Sequence, residues 1–202
     1  MDEFAAPTTA QHDPDGFGGR RPRRPRRGLA RLSVVLVAVF LLVACRPFGM
    51  VGDPSFAPVS SPGDGLGTPE FLVDVRTGKH AGFERVVLEL TGDRQPSWTV
   101  AYAEGPVRQP GSGDIVEVDG DAVLVVHVAK ASTVDRTTIP WTLVYPGPDR
   151  VVPAVAGVVT EVVLVGEFEG NLVWAIGLDQ RVGFAAVQYD APSRIVIDVL
   201  AS

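Results

Sequence analysis

The spacing of turn signals is the feature that most restricts what this chain can fold into. From Phe71 onward, β-rich runs are separated by clusters of Gly, Asp, Asn, Ser or Pro at the ~8–12-residue interval typical of short strands, and no 3.6-residue apolar period persists. Runs over 83–90, 158–168, 172–178, 182–189 and 194–200 read as strands, the last four linked by Glu169-Gly170-Asn171, Asp179-Gln180-Arg181 and Asp190-Ala191-Pro192-Ser193. In Phe83–Leu90 the alternation puts Val86, Leu88 and Leu90 on one face; in 71–76 it puts Phe71, Val73 and Val75 opposite Leu72, Asp74 and Arg76. Residues 115–128 read as two strands meeting at Asp119-Gly120-Asp121, where Asp-Gly suits a type I′ hairpin turn. The expectation is an all-β domain, a small β-sandwich over 70–202.

The preceding part has a different composition. Seven arginines and four acidic residues fall in 1–31, so that stretch is basic while the remainder of a chain of net charge −6 is acidic. Prolines interrupt the arginine run 20–27, which reads as a disordered basic region. Residues 32–44 (LSVVLVAVFLLVA) are apolar but too few for the ~20-residue helix that spans a bilayer, and a positive flank followed by ~10–14 apolar residues is the pattern of a signal-peptide core. It ends in Leu42-Val43-Ala44-Cys45, which resembles a bacterial lipobox. Small residues give a peptidase access to the Ala44–Cys45 bond, and the Cys45 thiol is the nucleophile that would take up a diacylglyceryl group. Two or three acyl chains anchor stably where one would not. The competing reading of the same segment is an uncleaved signal anchor. Residues 45–69, rich in Pro, Gly and Ser, read as a solvated tether beginning at the lipidated cysteine. The expected location is the extracytoplasmic face of the cell membrane, reached through the covalent lipid.

Several chemistries are disfavoured by the residues available. An acidic body lacks the clustered basic face that nucleic acid requires. One cysteine permits neither an intrachain disulfide nor a paired-cysteine zinc site, and His80 and His127 show no ligand spacing, so no metal and no cofactor is expected. His127 falls in the alternation Val123, Val125, His127 and reads as a sheet-face residue; Asp119 and Asp121 lack the further oxygens of a calcium loop. Ser112 in Gly111-Ser112-Gly113 lacks the strand–turn–helix context of a nucleophile elbow. Trp98, Trp141 and Trp174 would make a sugar-stacking platform if exposed, although tryptophans of a sandwich more often fill its core, and the alternation Leu172, Trp174, Ile176 favours core for Trp174. The segment Arg76–Arg85 reads as a loop whose Arg76, Gly78, His80, Gly82 and Arg85 could bind an anion. Its structural alternative is a tight connection in which Arg76 and Arg85 pair with acids such as Asp74 and Glu84.

The run Arg76-Thr77-Gly78-Lys79-His80-Ala81-Gly82-Phe83-Glu84-Arg85-Val86-Val87-Leu88-Glu89 resembles the opening of the AMIN-like domain of actinobacterial envelope lipoproteins. Phe168-Glu169-Gly170, Trp174–Leu178 and Pro192-Ser193-Arg194-Ile195-Val196-Ile197-Asp198-Val199 resemble its closing strands. The resemblance implies a β-sandwich that binds rather than catalyses, with peptidoglycan or another envelope polymer or protein as ligand. In multidomain relatives it targets an amidase or secretin; no such motif follows before Ser202, so this chain is expected to act through separate partners. Two other classes stay open: a hydrolytic enzyme centred on His80 and Arg85 with Asp74 or Glu84, which needs a pocket joining them, and an apolar-ligand carrier, which needs a dry cavity between the sheets.

Overall fold

The computed structural model describes residues 49–64 and 69–201. The expected basic region 1–31 and apolar core 32–44 lie outside the described residues.

Thirteen strands and no helix occur among the described residues: β1 Val59–Ser61, β2 Glu70–His80, β3 Phe83–Leu90, β4 Trp98–Tyr102, β5 Ala122–Ala129, β6 Ala131–Ser132, β7 Val134–Asp135, β8 Thr142–Leu143, β9 Arg150–Val151, β10 Val159–Phe168, β11 Asn171–Leu178, β12 Phe184–Tyr189 and β13 Arg194–Leu200. One sheet has the order β1-β4-β5-β11-β10-β9 and the other β12-β13-β3-β2-β6, with β7 and β8 forming a separate ribbon. The pairs are antiparallel except β2 with β6. The expected all-β sandwich is the fold observed.

The space between the sheets is filled by inward residues of both. Leu72, Val86, Leu88, Leu124, Val126, Leu172, Trp174, Ile176, Ile195 and Ile197 are all fully buried. Each such side chain contributes about 1.5–3 kcal/mol of transfer free energy, so this layer supplies most of the drive to fold. Strand β11 is buried on both faces. Leu172, Trp174 and Ile176 point between the sheets, while Val173 and Ala175 form a smaller outer cluster with Val107 and Val165, covered by Val116 and Val118. This double burial accounts for the unbroken apolar run Leu172–Ile176, where a half-exposed strand would alternate.

Three expectations change. Strand β2 carries a bulge, with Leu72 opposite Leu90 but Asp74 opposite Glu89, and the extra residue resets the alternation so that Leu72 and Val75 both face the core. A uniform period of two therefore misplaces Phe71 and Val73. Asp119-Gly120-Asp121 is not a hairpin turn: β5 pairs with β4 and β11, the Asp119 amide donates to Glu161, and the Asp121 amide donates to the Leu178 carbonyl. The connection that doubles back in this region is wider and earlier, with Arg108 bridged to Ile115 around Gln109–Asp114. Finally, the described part of the expected tether lies on the sandwich. Ser55 exchanges both backbone hydrogen bonds with Phe184, at 2.9 Å each, and Val59–Ser61 adds a strand beside β4. Proline-rich composition suggested a solvated chain, but short stretches between the prolines still satisfy the edges of both sheets.

Candidate functional site

The segment expected to be an anion-binding loop is mostly strand. Lys79 pairs with Glu84 and His80 with Phe83 in register, leaving Ala81 and Gly82 as the turn, with Gly82 at a φ of 86° that favours glycine. Because neighbouring side chains on a strand face opposite ways, Arg76, Gly78, His80 and Arg85 are placed on the outer face of the sheet and Glu84 on the inner one.

Each charge there has a partner. Arg85 Nε and Nη2 donate to the two oxygens of Asp198 at 2.7 and 2.8 Å, and Asp198 is fully buried. That hydrogen bond raises the Arg85 pKa still further, against the opposing effect of burial. The same pair holds the start of the described chain: the Val51 amide donates to Asp198 at 2.8 Å, and Arg85 Nη2 donates to the Gly49 carbonyl at 3.3 Å. Arg76 bridges Asp74 at 2.7 Å and Glu89 at 2.8 Å. The pairing expected for Arg76 with Asp74 is present, whereas Arg85 chooses Asp198 in place of Glu84. Glu84 accepts the amides of Val158 and Val159 at 3.1 and 2.9 Å and so fixes the entry to β10. A Cβ on Gly157 would collide with that carboxylate, so glycine here leaves Glu84 room to reach both amides. His80 stacks on Phe83 with ring centroids 4.7 Å apart.

The pocket demanded by a hydrolytic centre is not formed by these residues. A hollow of about 80 Å³ beside Lys79, Glu84 and Arg85 does not include His80 or Asp74 in its lining, and it is well below the ~300 Å³ of ordinary ligand pockets. His80 and Glu84 cannot converge from opposite faces of one sheet. The inter-sheet space required by an apolar carrier is occupied by the core side chains.

Of the three tryptophans, Trp98 and Trp174 are buried, Trp98 donating its indole N–H to Gln188 at 2.8 Å. No three-tryptophan platform exists. Trp141 is 66% exposed, on the connection between the β7–β8 ribbon strands that also presents Ile139 to solvent, and Leu143 of β8 is exposed beyond it. A separate cleft of about 250 Å³ is lined by Ser132, Arg136, Glu167, Phe168 and Glu169, without Trp141. The Arg136 guanidinium lies 5.6 Å from the Trp141 ring centroid, donates to Ser132 Oγ at 2.8 Å and approaches Glu167 at 3.3 Å. Burial pushes the Glu167 pKa up, but the amide and hydroxyl of Thr133, Ser132 and the charge of Arg136 outweigh it and leave the carboxyl below its ordinary value. Phe168, half exposed, also lines this cleft. Sequence reasoning passed over Arg136, Glu167 and Phe168. The available signal was the stretch 137–148, uncharged between Arg136 and Asp149 in a chain with 21% charged residues.

The remaining sequence candidates are scattered. His127 lies on the outer face of β5 beside a second cleft, of about 330 Å³, under residues 103–110, and partial desolvation lowers its pKa. Ser112 Oγ donates to Gln109 within the 109–113 turn. Asp119 and Asp121 sit in the segment crossing the end of β11, and no group of three metal-ligating side chains occurs among the described residues. Ala44 and Cys45, the expected cleavage and lipidation site, lie outside the described residues.

Comparison with known proteins gives one finding. Residues 70–201 match the family model of the AMIN-like domain. No curated protein and no solved structure is similar enough to match.

Proposed function

This chain belongs to the AMIN-like domain family, and on that footing we propose that it is a non-catalytic binding module held at the outer face of the cell membrane by lipid on Cys45. AMIN-like domains are envelope-associated binding modules, and the match covers the whole sandwich from β2 to β13. The ligand in this reading is cell-wall polymer or an envelope protein.

The observation that carries the non-catalytic part is the engagement of the charged cluster. Arg76, Arg85, Glu84, Asp74 and Asp198 each bond to the fold itself, two of them through backbone amides, and none is left beside His80 to move a proton. Those bonds make the family-like segment a structural clasp. Lipid anchoring is supported by the basic flank, the short apolar core and Leu42-Val43-Ala44-Cys45.

Two measurements test the reading. The full chain should sediment with purified cell wall or capture an envelope protein; failure of both removes the binding module. Intact mass and membrane partition should both change in Cys45→Ala, and an unchanged mass with unchanged partition removes the anchor.

A further inference from the structure

We propose that the outer face of the β12-β13-β3-β2 sheet lies against the membrane, with the lipid headgroup surface as its partner, and that the loop-covered outer face of the other sheet points away from it. This rests on the Cys45 anchor proposed above and names the side of the domain that the anchor presents.

The bonds at the start of the described chain limit how far the sandwich can stand off. Four peptide units separate Cys45 from Gly49, a reach of about 14 Å at full extension. At Gly49 the chain is already bound: Arg85 Nη2 donates to its carbonyl at 3.3 Å, and the Val51 amide donates to Asp198 at 2.8 Å. Arg85 on β3 and Asp198 opposite it on β13 both belong to the outer face of that sheet. Gly52 follows close to the Ala185 side chain of β12, and Ser55 bridges to Phe184. A chain tied down in this way leaves no long tether, and the face it is tied to is the one nearest the anchor.

Charge separates the two outer faces. On the proposed one Arg76, Arg85 and Arg194 balance Asp74, Glu89 and Asp198. The outer face of the first sheet is covered by residues 103–121 through Val107, Val116 and Val118, and that cover carries Glu104, Asp114, Glu117, Asp119 and Asp121 against Arg108 alone. So short a reach is comparable with the ~8 Å screening length of physiological salt, so an anionic lipid surface repels the acidic cover and admits the balanced face. Arg194 adds an attractive contact. No carboxylate pairs with it among the described residues, its Nε has no hydrogen-bond partner, and its guanidinium lies 5.9 Å from the ring centroid of Tyr189, itself 46% exposed. A guanidinium able to meet phosphate, beside a ring with an apolar body and a polar tip, suits the headgroup layer.

The test uses the full lipidated chain in vesicles of phosphatidylcholine and phosphatidylglycerol, with a nitroxide-headgroup phosphatidylcholine as quencher. Acylation consumes the thiol of Cys45, the single cysteine of the sequence, so an added cysteine is the one site open to a thiol-reactive fluorophore. Tyr189→Cys, Glu117→Cys and Ile139→Cys put the label on the proposed face, on the acidic cover and on the exposed ribbon connection. The label at 189 is expected to lose most of its emission to the quencher, and the labels at 117 and 139 little. Inserting about twelve Gly and Ser residues between Arg46 and Pro47, which adds roughly 20 Å of mean reach, should abolish the difference. Equal quenching at the three positions overturns the proposal and leaves the anchor standing. Strongest quenching at 139 does the same, because the apolar ribbon is then the membrane contact. A difference that survives the insertion removes the short reach as its cause and also overturns the proposal. A wild-type chain of unmodified mass that fails to partition into vesicles overturns the anchor and the proposal together.

Discussion

Two arginine–carboxylate pairs, on different parts of the sandwich, contain the same groups and serve opposite ends. Arg85 and Asp198 have side chains 16% and 0% exposed; both carboxylate oxygens accept from the guanidinium and one also from the Val51 amide. Arg136 and Glu167 are 50% and 18% exposed and open onto a cleft that Phe168 also lines. Burial decides the difference. A pair removed from water is held because breaking it strands a charge, whereas a pair left at the surface contributes little to stability and keeps its hydrogen-bonding capacity for a visitor.

The comparison breaks first, and most visibly, at Arg85. Arg85→Met leaves Asp198 buried without its partner and should cost about 3–5 kcal/mol, read as a lowered urea midpoint at unchanged slope. If the loss is under ~1 kcal/mol, the two pairs are energetically alike and the distinction fails. A smaller loss, about 1–3 kcal/mol, is expected for Gly157→Ala, whose new methyl displaces the Glu84 carboxylate from the Val158 and Val159 amides. Hydrogen exchange at those two amides should rise together.

At the second pair the expected stability effects are slight. Arg136→Ala should change stability by no more than ~1 kcal/mol while shifting the emission of Trp141, which loses the cation at its ring. Because the Glu167 pKa is depressed in the folded chain, its contribution is fully present above the ordinary value of 4.5 and is lost as pH falls through the lower folded value. Glu167→Gln should therefore flatten the acid limb of the stability curve; an unaltered limb would show the carboxylate is not held. The smallest effect belongs to His127. Its folded pKa lies below 6.5, so the unfolded chain takes up protons more readily and the neutral ring's stability contribution is full above 6.5 and declines as pH falls from there through the folded value. Nuclear magnetic resonance titration of its ring protons checks the direction.

How much of this the sequence discloses follows from how local each signal is. Val86, Leu88 and Leu90 declare their face because β3 is regular, and Leu172–Ile176 declares a doubly covered strand because no polar residue interrupts it. The β2 bulge is invisible at Phe71–Val75, since one inserted residue looks like ordinary alternation until a partner strand fixes the register. Trp98–Tyr102 carries too few residues between turn-rich segments to announce β4, and Val59–Ser61 is concealed by its prolines. The candidate site divides in the same way. The charged run 76–85 was conspicuous because its residues are contiguous, but their bonds to Asp198, Glu89 and Val158 are long-range and reverse its meaning. The cleft escaped notice because Arg136 comes from one stretch and Glu167 and Phe168 from another, and neither the short β7–β8 ribbon nor the β10–β11 turn has a pattern that would bring them together.

The strap formed by residues 49–61 also sets how the domain takes a mechanical load. A pull on the chain ahead of Gly49 meets the Arg85–Asp198 clamp first and the Ser55–Phe184 bridge next, before it reaches the three residues of β1. Tension is thus passed first to β3, β13 and β12, which are hydrogen-bonded to one another, and reaches the short edge strand last.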